Sequence, residues 1–147
     1  MPRILALDVG DKTIGTAMTD ESETFALPQT TLLRQPGKRK DAAALATLIR
    51  EKEVVAVVVG LPLHANGDLG SQAEKVQDFV ATLRNYIRIP VYFQDERLTT
   101  WEAEQPLIEA GLSPKERKKV IDSLAASLIL KSWLEQRAFN QQTGDDS

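Results

Sequence analysis

Three places in the chain put carboxylates where an apolar element ends or turns toward a core. Asp8 closes the run RILALDV, Asp95 and Glu96 close VYFQDE, and Asp122 lies inside SPKERKKVIDSLAASLIL. At 100° per residue, Asp122 shares a helical stripe with Ala125, Ala126, Ile129 and Trp133. That stripe should pack on a sheet, and the small Ala125 and Ala126 would let the helix come close enough to bring Asp122 toward the strand ends. Carboxylates gathered with no Lys or Arg obliged to neutralise them repel one another. The usual resolution is a hard divalent cation, and an oxygen-only donor set suits Mg²⁺ or Mn²⁺. Two such ions about 4 Å apart clamp an in-line displacement at phosphorus, one activating water and the other stabilising the leaving oxygen. The chemistry implied is phosphodiester hydrolysis. Simpler roles stay open for each group: Asp8 as a turn acceptor, Asp122 as partner of Lys118 one turn earlier, and Asp95 with Glu96 as helix-start charges before Thr99.

The elements that must position these groups are legible from periodicity and turn chemistry. Residues 3 to 9 and 13 to 19 read as two strands of a hairpin whose turn holds Gly10 and Asp11. ETFALPQTTLL is a weaker extended segment that Pro28 confines to an edge or interrupts. RQPGKRK reads as a basic turn, DAAALATLIREKE as a helix, and VVAVVVG as a buried strand ending in Gly60. SQAEKVQDFVATLRNYI has a Ser cap and puts Val76, Phe79, Val80 and Leu83 on one face. IPVYFQDER is a further strand, and TTWEAEQPLIEAG is a short helix expected to break near Pro106. Ser113, Pro114 and Glu116 form a capping box that opens a final helix of about seven turns. The order predicts an α/β domain with a mixed sheet, since a hairpin cannot be parallel.

Whole-chain properties exclude several classes. A chain of 147 residues fits one compact domain. It contains no Cys, which rules out disulfides, thiolate metal sites and Cys nucleophiles. No apolar run approaches the roughly 20 residues of a membrane span, and no basic-then-apolar leader is read, so a soluble cytoplasmic protein without membrane partners is expected. The net charge of −3 gives no global attraction to nucleic acid, leaving that work to local basic patches or bridging metal ions.

Two such patches are present: Arg34 with Lys38, Arg39 and Lys40, and Lys115 with Arg117, Lys118 and Lys119. Lys115, Lys118 and Lys119 fall on the helix side of Asp122, one to two turns before it, as a phosphate track would; a solvated helix end accounts for them equally well. GLPLHANGDLG follows a buried strand and precedes a helix, so Gly60 and the helix start could hold a phosphate, although no P-loop lysine follows. His64 is the sole His, which excludes a His-built zinc site and leaves phosphate contact, a proton shuttle or no role. Trp101 could stack on a base or simply pack.

Four segments, ALDVGDKTIGTAMTD, VVVGLPLHANGDLGSQAEKVQDF, VYFQDERLTTWEAE and IDSLAASLIL, together resemble the YqgF (RuvX-type) family over nearly the whole chain. The resemblance implies an RNase H-like fold with a five-stranded mixed sheet flanked by helices in a nuclease domain over residues 1–139; the polar residues that follow, 140–147, read by their composition as a disordered tail. It implies a metal-dependent nuclease acting on the 5′ end of precursor small-subunit ribosomal RNA or on Holliday junctions. The ligands of one or two Mg²⁺ or Mn²⁺ ions would be Asp8, Glu96 and Asp122, with Asp95 the alternate to Glu96 because strand parity puts the two on opposite faces. Substrate contacts would come from Lys12, Gly60, His64, Arg97, Lys115, Lys118 and Lys119. Where the family commonly has Lys then Arg after the first turn, this chain has Lys12 then Thr13, so one positive charge near the phosphate would be missing.

Two other classes compete. LDVGDKTIGTAMTD also resembles the first phosphate loop of actin and sugar kinases, but those need a second lobe that this chain is too short to supply. A non-catalytic nucleic-acid or ribosome-assembly factor would keep the fold without cutting, and the retained acidic positions argue against it. Structured RNA and branched DNA are both compatible as partners, as are a monomer and a homodimer.

Overall fold

The computed structural model describes residues 3–20, 26–29, 31–62, 69–95 and 99–142; the side chains of 99–103, 118, 119, 122, 123 and 140–142 lie outside the description. The hairpin forms with the expected bounds, β1 (Arg3–Val9) and β2 (Thr13–Thr19), paired antiparallel with Asp8 opposite Gly15. The extended segment after it splits into β3 (Ala26–Pro28) and β4 (Leu32–Leu33), both paired to β2. Pro28 ends the outermost strand, where its missing N–H costs no ladder bond. Then follow α1 (Lys38–Glu51), β5 (Val54–Leu61), α2 (Ser71–Leu83), β6 (Val91–Asp95), α3 (Thr99–Glu109) and α4 (Pro114–Gln142).

Among the described residues the sheet follows the path β3-β2-β1-β5-β6, the five-stranded mixed sheet expected, with the two-residue β4 as a sixth strand beside β2. β5 runs parallel to β1, and β6 parallel to β5. Each face of this sheet carries its own core. Leu5, Leu7 and Val9 of β1 pack with Leu45 and Ile49 of α1 and with Val76, Phe79, Val80 and Leu83 of α2. Ile4 and Ala6 pack with Ala17, Val58 and the α4 residues Ala126, Ile129 and Leu130. The alternation of β1 therefore assigns every second side chain to α4, and Asp8 continues the Ile4–Ala6 series.

Helix boundaries differ from expectation in several places, among them the carboxyl ends of α1 and α2, which stop at Glu51 and Leu83 instead of Glu53 and Ile87. Gly37, at φ 87°, starts α1, so Lys38, Arg39 and Lys40 form its first turn rather than a loop. The N-cap of α2 is Gly70, and Ser71 is its first helical residue without a side-chain cap bond. α3 passes through Pro106 to Glu109, and the turn that closes it is set by Gly111, φ 84°. There the Leu112 N–H reaches Leu107 O at 3.1 Å and the Gly111 N–H reaches Ile108 O at 3.0 Å, a Schellman closure. α4 runs to Gln142, three residues beyond the expected end of the domain. The capping box at its start forms as read: the Ser113 N–H donates to Glu116 Oε1 at 2.9 Å and the Glu116 N–H to Ser113 Oγ at 3.2 Å. No helix among the described residues is long and apolar enough to cross a membrane.

Candidate nuclease site

Asp8 lies one residue before the end of the central strand, half-buried, on the face that α4 covers. Its cross-strand partner is Gly15, and a Cβ built at Gly15 would stand 3.6 Å from Asp8 Cβ and 3.9 Å from Ala126 Cβ. Asp8, the middle of β2 and α4 thus meet at one point, with glycine keeping the floor low. On the other flank, Leu7 pairs with Val59, so the next position along β5 is Gly60, which in turn pairs with Gln94 of β6. The carboxylate is flanked by glycine on both neighbouring strands. A strand glycine sacrifices packing and order, and it marks a place where something must approach the backbone closely. Gly15 was not singled out from the sequence; its signal was a glycine in the middle of an otherwise β-forming run.

The backbone of Asp122 lies in α4 one turn before Ala126, on the side of the strand ends; its side chain is outside the description. In β6, the Tyr92 ring lies tilted against Trp133 of α4 with centroids 5.5 Å apart, whereas Val91 and Phe93 pack into the α1 and α2 core. Asp95, exposed, has the parity of Val91 and Phe93 and so belongs to the face opposite Asp8. Glu96 and Arg97, like His64, fall outside the described residues. Among the described residues no three acidic or imidazole side chains converge, Asp8 being the described member of the expected set.

The turn after β1 is tight. The Gly10 N–H donates to Thr13 O at 2.9 Å, and a Cβ at Gly10 would meet that same oxygen at 3.2 Å. Lys12 is exposed on this turn. Asp11 reaches Lys75, the fifth residue of α2, at 3.5 Å, so the amino-terminal part of α2 stands beside the turn at the carboxyl ends of the strands. Open α/β sheets bind their ligands at that edge.

The two basic segments divide. Arg34 is engaged by Asp41 and Gly10 O, and Lys38 by Asp78, which places this segment on the α1 and α2 side, away from Asp8. In the second segment Lys115 is exposed, while Arg117 ties α4 to α3 through Glu104 at 3.3 Å and to the intervening loop through Leu112 O at 2.9 Å. Lys118 and Lys119 belong to α4, with side chains outside the description. Glu116 is held below the ordinary carboxylate value of 4.5, first by the Ser113 N–H it accepts and then by the Ser113 hydroxyl.

Comparison with known proteins agrees with this architecture. Residues 2–136 match the RuvX family, described as Holliday junction resolvase. A relative from Caldanaerobacter subterraneus subsp. tengcongensis, named "Putative pre-16S rRNA nuclease", is 50% identical over 136 residues, covering 92% of this chain and 97% of its own. One from Roseiflexus sp. (strain RS-1), with the same name, is 46% identical over 135 residues, covering 92% and 95%. Among solved structures, T. thermophilus RuvC in complex with Holliday junction substrate aligns with a TM-score of 0.60 at 14% identity, covering 94% of this chain and 96% of that one. The fowlpox virus Holliday junction resolvase aligns at 0.51 and 15%, covering 91% and 99%. The fold is the RNase H-like fold of the RuvC-type resolvases.

Proposed function

The chain belongs to the RuvX family, and from that premise we propose that it is a divalent-metal-dependent nuclease that processes the 5′ end of precursor 16S ribosomal RNA. The observation that carries this reading is Asp8 at the carboxyl end of the central strand, on the α4 face, flanked by Gly15 and Gly60. The names of the relatives supply the substrate class.

The residues fit a hard cation. The proposed donors are carboxylates alone, from Asp8, Glu96 and Asp122, and Gly15 leaves the Asp8 carboxylate without a side chain on the neighbouring strand beside it. The alternation within β6 favours Glu96 over Asp95, whose parity turns it to the other face. Bound Mg²⁺ or Mn²⁺, one or two ions, supplies a lowered water pKa and charge stabilisation at phosphorus. The chain's own task is to hold the carboxylates rigidly and to orient the phosphate. Lys12, on the turn three residues past the end of β1, is suited to one non-bridging oxygen. Lys115, Lys118 and Lys119 on α4 guide the strand toward Asp122, and Arg97, His64 and the Gly60 backbone complete the contacts. All of this is consistent with a cytoplasmic monomer or homodimer.

The family's description favours a second reading, resolution of branched DNA, for which a homodimer would present two sites. The test offers a ribosomal RNA precursor leader and a four-way DNA junction side by side in Mn²⁺ or Mg²⁺. Cleavage at the mature 5′ end is expected. Cutting of the junction alone would transfer the assignment to a resolvase, and binding without cutting in either metal would contradict nuclease chemistry and favour an assembly factor.

A further inference from the structure

Arg34 lies in the segment between β4 and α1, on the sheet face opposite Asp8, yet it grips the turn that follows Asp8. Its N–H donates to Lys12 O at 2.9 Å, and its Nη1 donates to Gly10 O at 2.7 Å. Its Nε donates to Asp41 Oδ2 at 2.7 Å, and the guanidinium lies 5.0 Å from the centre of the Phe79 ring. Asp41 is 6% exposed and also accepts the Gln35 N–H at 3.0 Å. Two carbonyls of the turn, from Gly10 and Lys12, are therefore held by one residue, and that residue is anchored to α1 by an ion pair and to α2 by a ring.

The grip is not a phosphate site. The guanidinium is neutralised by Asp41, its side chain is only 19% exposed, and it faces the α1 and α2 core. What it supplies is geometry. Asp11 and Lys12 are exposed, and the Asp11 pair with Lys75 is a solvent-exposed contact of little strength, so without the Arg34 side chain the turn would keep only its backbone bonds, Gly10 N–H to Thr13 O and the residue-34 N–H to Lys12 O. Only Arg presents a planar fork that can serve a carboxylate and a carbonyl at once.

We infer that Arg34, anchored by Asp41, is a positioning residue that fixes the Gly10–Thr13 turn and with it the end of β1 that carries Asp8. The inference rests on the reading of Asp8 as a metal ligand. Groups hydrogen-bonded directly to a metal ligand typically contribute ten- to a hundredfold in metal affinity, and Arg34, which acts on Asp8 through the Gly10 backbone two residues away, is expected at the lower end.

The test uses the full chain with Arg34→Lys, which keeps the charge beside Asp41 but replaces the rigid planar fork by a compact ammonium on a flexible stem, and Arg34→Gln, which removes the ion pair. Leu45→Ala, in the core under α1, is the control for general destabilisation. Two quantities are read: hydrogen exchange of the Gly10 amide in metal-free protein, and Mn²⁺ affinity by calorimetry. In Arg34→Lys, Gly10 exchange accelerates and Mn²⁺ binding weakens about tenfold. In Leu45→Ala neither changes beyond what its lower melting temperature accounts for. Unchanged exchange and affinity in Arg34→Lys, or the same losses in Leu45→Ala, would overturn the inference. If Arg34→Gln does not fold, Arg34→Lys alone decides. Asp8→Asn separates the two layers: Mn²⁺ binding that survives it overturns the metal-ligand reading itself, whereas its loss there with unaltered binding in Arg34→Lys overturns only the positioning role.

Discussion

The glycine beside Asp8 makes a prediction in which a small substitution raises stability and a large one removes activity. Gly15 has no positive φ, so alanine suits its backbone, and the added Cβ would sit 3.6 Å from Asp8 Cβ and 3.9 Å from Ala126 Cβ, ordinary contact distances. Restricting the unfolded chain at such a site gains about 0.4–1 kcal/mol. For a domain of this size that corresponds to a rise of roughly 1–4 °C in melting temperature. Leucine is different. Its branch extends past Cβ into the space shared by Asp8 and Ala126, where a displacement of about 1 Å at a reacting group costs on the order of a hundredfold in rate. Thermal unfolding and single-turnover cleavage of Gly15→Ala and Gly15→Leu measure both effects. Gly15→Ala folds and melts slightly higher; Gly15→Leu loses about two orders of magnitude in cleavage. If Gly15→Leu cleaves at the wild-type rate, the space beside Asp8 is not used and the reasoning fails.

Other outcomes follow from the same geometry. Glu96→Gln should remove cleavage while Asp95→Asn leaves it largely intact, because Asp95 shares the parity of Val91 and Phe93; reversed effects would return the assignment to Asp95. Replacing Lys118 and Lys119 together by Ala should flatten the slope of log K against log salt by about 1.4–1.8, at ~0.7–0.9 per phosphate contact, and an unchanged slope removes them from the track. Glu116 has a depressed folded pKa, so its contribution to stability is present above the unfolded value and is lost as pH falls through the folded one. Glu116→Gln should therefore melt lower than wild type at neutral pH, with the difference shrinking in acid; a constant difference from pH 7 to 3 would contradict this.

Much of the frame was legible because it is set by local patterns. The bounds of β1 and β2 follow from apolar runs either side of a Gly10 turn, and the capping box of α4 from Ser113 and Glu116. The buried face of α2 follows from the spacing of Val76, Phe79, Val80 and Leu83. Helix starts were less legible where glycine took the place of a side-chain cap, as at Gly37 and Gly70. Pro106 did not interrupt α3, whose close is set by the positive φ of Gly111. The sheet face of Asp95 needed the assignment of Val91 and Phe93 to one core and Tyr92 to the other. Gly15 required the hairpin register, and the hold of Arg34 on Gly10 spans 24 residues, a separation no periodicity encodes.

The central claim is that Asp8 holds the catalytic metal. The most direct measurement is single-turnover cleavage of a ribosomal RNA precursor leader in Mn²⁺ by wild type and by Asp8→Asn, with thermal unfolding of both recorded in parallel. Cleavage by wild type, with none by a folded Asp8→Asn, is the predicted result. A folded Asp8→Asn that cuts at the wild-type rate would contradict the account.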